Sequence, residues 1–441
     1  MYIPVAEMYA GKSIFITGGT GFLGKVLVEK LIYSCPGVEK IYILLREKKG
    51  ENAEQRLKKM FDLPIYARVK NERPKDLEKI IPIVGDISEP KLGMTIEDEE
   101  MLLREVSYVF HSAATVHFNE PLHVALNTNV KGAERILSLC RRMKKLQCLL
   151  HVSTCYSNTH KIFIEEKLYP PPISTRRVDE LIKEEPDEER TRVLLGAMPN
   201  TYTFAKSVAE SVIVEQHGKV PVVIVRPSIV TSSVKEPIPG WLDNWNGATG
   251  LVASVAKGIN RVIPGKGSNV LDLIPVDYVV NLMIVAAARN ASNDVSVFHS
   301  ATSTENPIAI KELKNLITAD SVKNKFNELP LPTVLLTDSK FRLNLTTAVL
   351  QTAPAATADA LLWVSGSQPR YKKMLIRINK LRRTLSYFTK NSWKFSTMRS
   401  YTLASSLSYE DKEKFPFSPS SINWSKYIPV YCAGIRDNLI K

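Results

Sequence analysis

The sequence predicts an α/β chain: a doubly wound parallel sheet with insertions over residues 1–300, and a mainly helical domain over residues 301–441. Three observations carry this. Short β-branched runs alternate with longer helical patterns through the first 300 residues, the rhythm of β-α-β units. A glycine-rich segment follows the first run and opens a helix. Beyond about residue 300 the strand rhythm gives way to helical periodicity with Trp and Tyr interspersed.

The strands are expected at 13–17 (SIFIT), 40–45 (KIYILL), 80–84 (IIPIV), 106–110 (VSYVF), 147–152 (QCLLHV) and 222–226 (VVIVR). Near-continuous apolar runs of this kind belong to strands covered on both faces. Residues 168–200 break the rhythm with Pro170, Pro171, Pro172, Pro186 and Pro199 and a charged stretch at 183–192. They read as an insertion over the carboxyl edge of the sheet. No internal repeat is present.

Composition narrows the class. With 441 residues, 44% hydrophobic and 24% charged, the chain is neither fibrous nor disordered. The net charge of +14 calls for an anionic partner. Residues 301–441 hold 21 Lys and Arg against 10 Asp and Glu, so the excess is C-terminal. Ten basic residues and no acid lie from Arg370 to Arg399. Five scattered cysteines, none in a C-x-x-C pair, suit a reducing compartment rather than a disulfide scaffold. The first twelve residues contain Glu7 and no apolar core, so they do not read as a secretory signal. The most apolar stretch, 345–366, is interrupted by Gln351, Pro354 and Asp359; it is expected to lie in an interface and not to cross one.

Thr17, Gly18, Gly19, Thr20, Gly21, Phe22, Leu23 and Gly24 form G-x-x-G-x-x-G between the first strand and a helix. In a Rossmann-type unit the first glycine permits a tight turn, the next admits a pyrophosphate, and the last allows close helix packing. The helix N-terminus then supplies N–H groups to the phosphates. A ligand-free turn would show the same glycines, but not this strand and helix context. After the second strand stands Arg46, where an acid would bind the ribose of NAD. A guanidinium grips a 2′-phosphate bidentately, so the cofactor reads as NADPH, with Glu47 as counter-evidence. Asp86 and Ile87 after the third strand are placed at the adenine edge. Ser112, Ala113 and Ala114 after the fourth are small where backbone must approach the cofactor.

Tyr202 and Lys206 form Y-x-x-x-K, one helical turn apart on one face. The ammonium is expected to depress the phenol pKa toward neutrality, making Tyr202 a proton donor. Thr154, with Ser153 as second choice, ends the fifth strand and offers a hydroxyl to the substrate carbonyl. His111, His117, His123 and His151 lack the spacing of a ligand set and have no paired cysteines, so no metal site is expected.

In this order the motifs resemble the extended short-chain dehydrogenase/reductase superfamily. Longer strings are more specific: 111–116 (HSAATV), 152–158 (VSTCYSN), 200–206 (NTYTFAK), 225–232 (VRPSIVTS), 274–279 (IPVDYV), and Phe415-Pro416-Phe417 with Ile422-Asn423-Trp424. Over nearly the whole chain these resemble the alcohol-forming fatty acyl-CoA reductases of the animal, insect-type branch. The resemblance implies NADPH-dependent reduction of a long-chain acyl-CoA to a primary alcohol, through an aldehyde, with release of CoA. It assigns Thr154, Tyr202 and Lys206 to catalysis and Gly18, Gly21, Gly24 and Arg46 to the cofactor, with Tyr202, Lys206, Pro227 and Ile229 lining the cofactor site. It also implies an intracellular protein at the cytosol-facing surface of the peroxisome or endoplasmic reticulum. Residues 329–366 are less apolar than the membrane-associated segment of the animal proteins, and the chain stops at Lys441 without a hydrophobic tail, so attachment is expected to be peripheral.

Two other classes share parts of the pattern: a nucleotide-sugar epimerase or dehydratase, and a catalytically silent lipid-binding homologue. Arg46 and the C-terminal region argue against the first; Thr154, Tyr202 and Lys206 argue against the second. The basic block has no groove-entering or aromatic motif, so nucleic acid is not the expected partner. Within it Met374, Ile378, Leu381, Leu385 and Phe388 form one apolar stripe in a cationic surface. That suits an anionic membrane face or the phosphates of CoA, or else a core helix with a solvated basic side. A homo-oligomer is compatible with all of this.

Overall fold

A computed structural model describes residues 2–47, 50–290, 292–328 and 333–440; Lys48 and Lys49, in the charged run after Arg46, lie outside them. Compactness divides the chain into two units. The first comprises Met1–Ser228, Val276–Ala301 and Phe395–Ser418, and the second Ile229–Pro275, Thr302–Lys394 and Pro419–Lys441.

The first unit is built on seven strands: β1 Ser13–Thr17, β2 Lys40–Leu45, β3 Ile80–Val84, β4 Val106–His111, β5 Cys148–Val152, β6 Val222–Pro227 and β7 Ser296–Ser300. They pair in the order β7-β6-β5-β4-β1-β2-β3, every pair parallel. The six expected strands are present to within a residue at either end. The seventh was not expected, because SVFHS carries polar residues at three of five positions. Four helices cover the sheet: α1 Phe22–Ser34, α2 Gly132–Arg142, α3 Thr201–Gln216 and α4 Val276–Ala288. On one face α2 and α3 bury Ile136, Leu137, Phe204 and Val208 against Phe15, Val109, Leu149 and Ile224 of the strands. On the other, α4 packs on α1 and is buried at all thirteen positions, which accounts for its lack of a polar side.

The strand order reverses between β1 and β4. In an open parallel sheet the carboxyl ends on either side of that reversal diverge and leave a crevice for ligand. The glycine-rich segment leaves β1 at this point, and His111–Ala114 leaves β4. The proline-rich insertion forms two short helices, Val178–Glu184 and Glu188–Leu195. Val178, Leu181 and Met198 join the core beside Leu122 and Ala125, which follow β4.

The second unit is mainly helical, with two short parallel strand pairs, Ile229–Thr231 with Leu273–Pro275 and Val262–Pro264 with Leu335–Thr337. Its helix Trp424–Leu439 is held close to the loop at Gly240: a Cβ on Gly434 would lie 1.7 Å from the Gly240 carbonyl oxygen. The Tyr427 hydroxyl bonds Thr231 and Ser232, and Arg436 pairs with Asp320 at 2.5 Å. In the basic helix Tyr371–Lys390, Leu375 and Ile378 pack on Ile259 and Ala355, and Leu385 and Phe388 are buried. Its apolar stripe therefore belongs to the core of this unit, and its cationic side, with Ile376 among the basic residues, meets solvent.

Candidate active site

The cradle after β1 is sterically committed to glycine at two positions. Gly18 has φ +75°, and a Cβ there would lie 2.7 Å from the Ala113 nitrogen; at Gly24 it would lie 2.1 Å from the Gly18 oxygen. No rotamer change relieves either clash, since both partners are backbone. Thr17 ties the cradle to the chain after β4, accepting from the Ala113 N–H at 3.2 Å and bonding His111 Nδ1 at 2.7 Å. Gly21 is different: a Cβ would meet only the Gly18 oxygen, at 3.2 Å. Gly21 is also the N-cap of α1, and no side chain caps that end. A helix N-terminus left to backbone N–H groups, behind a glycine whose Cβ space the fold does not need, fits a pyrophosphate.

Beside it an open cleft of about 530 Å³ is lined by Arg46, Glu47, Gly85, Asp86 and Glu89. Arg46 is exposed and lies 3.5 Å from Asp86, whose other oxygen accepts from the Ser88 N–H and hydroxyl. Ile87 is buried below. A second guanidinium, Arg56, donates to the Arg46 carbonyl and, at 3.3 Å, to Thr20 Oγ1 within the cradle. Burial and the neighbouring Arg46 lower its pKa.

Tyr202, Thr154 and Lys206 meet beyond the carboxyl end of β5. Asn200 caps α3 through the Thr203 N–H at 2.9 Å, which sets the helix start. The Tyr202 ring stacks on Phe118, with centroids 5.9 Å apart, and the nearby Thr154 side chain favours its ionised form. Thr154 also lies 3.5 Å from the Pro227 carbonyl and accepts from the Tyr156 N–H. Ser153 is turned away, donating to Glu210. The structure thus brings Thr154, and not Ser153, to the phenol. Lys206 does not set the phenol pKa as expected. Its ammonium donates to the Val152 carbonyl at 2.7 Å, and burial pushes it down to about 8. Burial also pushes Tyr202 up to about 12, opposed only by Thr154. Desolvation outweighs charge pairing, so Tyr202 stands as a neutral phenol.

Residues 16–283 match a family model described as "Male sterility protein", of the NAD-binding type, and residues 350–441 match a second model of the same description. Fatty acyl-CoA reductase 1 of Xenopus laevis is 38% identical over 98% of this chain and 86% of its own. The Homo sapiens protein of that name is 37% identical over the same shares. Fatty acyl-CoA reductase 2 of Mus musculus is 36% identical over 99% and 86%. The chain belongs to the fatty acyl-CoA reductase family. Among solved structures, the terminal R domain of the myxalamid PKS-NRPS pathway aligns with a TM-score of 0.65 at 23% identity, covering 98% of this chain and 92% of its own. A nonribosomal peptide synthetase R domain from Mycobacterium tuberculosis gives 0.65 at 17%, covering 98% and 94%. Both share the reductase fold.

In this reductase a buried polar network lies behind the site. Glu210 sits one turn beyond Lys206 on α3 and accepts from Ser153, from Ser157 at 3.3 Å, and from Arg226 Nε at 2.8 Å and Nη2 at 2.5 Å. Arg226 is wholly buried; its Nη1 lies 3.2 Å from His299 Nε2, and His299 Nδ1 lies 2.8 Å from the Ser396 carbonyl. Sequence reading missed Glu210 and Arg226, although 202, 206 and 210 repeat every four residues along one helix face. It missed Arg56 as well, ten residues past Arg46. Burial holds His111 at about 3 and His151 well below its usual value, so both are neutral imidazoles. Among the described residues no His, Cys, Asp or Glu group has the geometry to hold a metal. Ile229, expected with Pro227 to line the cofactor site, falls in the second unit, while Pro227 ends β6 in the first.

Proposed function

We propose that this reductase converts a long-chain fatty acyl-CoA to the primary alcohol with NADPH as reductant, releasing CoA. The observation that carries the reading is a neutral phenol at Tyr202 beside Thr154, one helical turn from a buried lysine, in a chain of this family. When bound, the nicotinamide would supply hydride to the carbonyl carbon twice, taking thioester to aldehyde with loss of CoA and aldehyde to alcohol.

The cradle from Thr17 to Gly24 and the N-terminus of α1 would hold the pyrophosphate. Arg46 and Arg56 would read a 2′-phosphate, Asp86 and Ile87 the adenine edge, and Ser112 to Ala114 the backbone approach. Support for NADPH over NADH is the pair of guanidiniums at the end of β2, Arg46 on the cleft and Arg56 beside the cradle, either of which can grip a 2′-phosphate. Thr154 and Tyr202 would donate hydrogen bonds to the reacting oxygen, and Tyr202 would deliver the proton as charge develops there. Lys206, fixed on the Val152 carbonyl, would place a positive charge behind the phenol as it loses that proton.

The C-terminal positive charge supports a second part of the reading, peripheral attachment to an anionic membrane surface. Purified protein incubated with NADPH or NADH and a panel of acyl-CoAs, with products identified by mass spectrometry, tests the activity. Alcohol and free CoA in equal amounts, with two NADPH consumed for each, are expected. No turnover of any acyl-CoA would refute the reading.

A further inference from the structure

The chain leaving β4 folds into a turn that is pinned from several sides. Asn129, buried in the π-helical turn Leu126–Lys131 that leads into α2, grips the Thr115 backbone twice: its Oδ1 accepts from the Thr115 N–H at 2.9 Å, and its Nδ2 donates to the Thr115 carbonyl at 3.0 Å. The Thr115 hydroxyl donates to Glu120 at 2.7 Å and closes the turn on itself. Thr201, the first residue of α3 and the neighbour of Tyr202, shares its hydroxyl proton between the Phe118 and Glu120 carbonyls, at 3.3 and 2.9 Å. The turn is thus fixed against α3 and against the segment before α2. Side chains held by such outer hydrogen bonds keep one geometry, and π turns gather at functional sites.

What the turn presents is one ring. Phe118 stacks on Tyr202, 23° from parallel with centroids 5.9 Å apart. Leu122 and Ala125, a few residues on, join the core, whereas the Phe118 ring stays half-buried and Val116 is 45% exposed. An aromatic residue placed for packing alone would turn inward with Leu122; this one is held over the proton donor instead. A carbonyl that accepts from Tyr202 must bring its substituents past that ring, because the α-carbon of an acyl chain is only two bonds from the reacting oxygen. Surroundings that are close-packed and cannot shift resist even one added carbon.

We infer that Phe118 is a specificity-determining residue: it walls the space beside the α-carbon, so that the site accepts acyl chains unbranched at that carbon and turns away those with an α-methyl group. The inference rests on the acyl-CoA reading above and narrows its substrate class. The wall acts only at the reacting end of the chain, and branching at the far end does not meet it.

The test gives the full chain, with NADPH, three acyl-CoAs of equal chain length: one straight, one with an α-methyl group and one with a methyl branch at the far end. Release of CoA yields kcat/KM for each. Wild type should treat the straight and far-branched substrates alike and the α-methyl one at least about tenfold worse, the discrimination a fixed pocket exerts over one carbon. Phe118→Ala should bring the straight to α-methyl ratio to within about threefold of unity. A general loss of activity in the variant lowers all three substrates together and does not imitate that change. Should the alanine variant fail to fold, Phe118→Leu replaces it; it keeps apolar bulk without the flat ring and should narrow the ratio by at least about threefold. Wild type turning over none of the three would overturn the acyl-CoA reading and this inference with it. Wild type reducing the straight and α-methyl substrates equally, or a folded variant that keeps the wild-type ratio, would overturn this inference alone.

Discussion

Tyr202→Phe removes one oxygen and leaves a ring that still stacks on Phe118. The expected loss follows from the protonation state. With its pKa pushed up to about 12, the phenol is ionised to roughly one part in 10⁵ at pH 7, so nearly every molecule carries the proton the reacting oxygen must receive. Phenylalanine carries none. Positioned general acids contribute about 10²–10⁴-fold, or ~3–5 kcal/mol of barrier. The variant should therefore lose that factor in kcat for acyl-CoA and, separately, for supplied aldehyde, while its NADPH affinity changes little. Steady-state turnover of both substrates, with cofactor binding followed by fluorescence, measures all three. Activity within a few-fold of wild type on either substrate would refute the assignment. Thr154→Ala provides the second point: it removes the one side chain that lowers the phenol pKa and leaves the proton donor in place, so it should reduce kcat less than Tyr202→Phe.

Further predictions concern the cradle and the network behind it. Arg56→Ala should weaken NADPH by ~10–100-fold and NADH little, since a charge-assisted bond to a phosphate is worth ~1.5–3 kcal/mol. Arg46→Ala should act in the same direction with a smaller loss, its side chain being exposed and already beside Asp86; equal losses for both cofactors would mean another residue reads the phosphate. Gly24→Ala should lower the melting temperature by several degrees, because a backbone clash at 2.1 Å costs ~1–3 kcal/mol or more. Gly21→Ala should melt as wild type and yet bind cofactor poorly; normal binding would remove the pyrophosphate from this loop. Glu210→Gln withdraws the charge that raises the Lys206 pKa, so the alkaline fall in kcat should move to lower pH. A profile that does not move would leave Glu210 a packing role only. Lys206 itself, at about 8 against 10.5 when free, releases its proton first in the folded chain. Its contribution to stability therefore grows from about pH 8 upward and is lost as pH falls through 8.

The legible parts of this fold are those where one segment suffices. Six strands could be read because each is apolar on both faces over five or six residues. The turn after β1 could be read because Gly18 holds a φ of +75° and Gly24, if replaced, clashes with Gly18 of the same turn. What escaped is assembled from separated segments. β7 hid because His299 looks out of place in a strand until Arg226 is seen 3.2 Å away. Glu210 looked like a polar residue on a helix; Ser153, Ser157 and Arg226, its partners, come from two other elements. The pKa of Tyr202 was misjudged in the same way. Spacing places Lys206 on the correct helix face, but not the Val152 carbonyl that accepts its hydrogen bond, nor the burial that dominates both groups.

The basic block shows the limit of periodicity most sharply. Spacings of four and three among Met374, Ile378, Leu381, Leu385 and Phe388 establish that one side is apolar, and the same pattern serves a bilayer or a protein core. Only the packing of Leu375 and Ile378 on Ile259 and Ala355 decides between them. That decision frees the cations from the stripe and leaves them next to a different apolar face, on the stretch 345–366 that the sequence already marks as the most apolar. There the informative feature is an absence of charge where solvent exposure would ordinarily demand it. Such an absence becomes visible only once it is known that Asp359, the single charge in the stretch, points inward to hold the next helix.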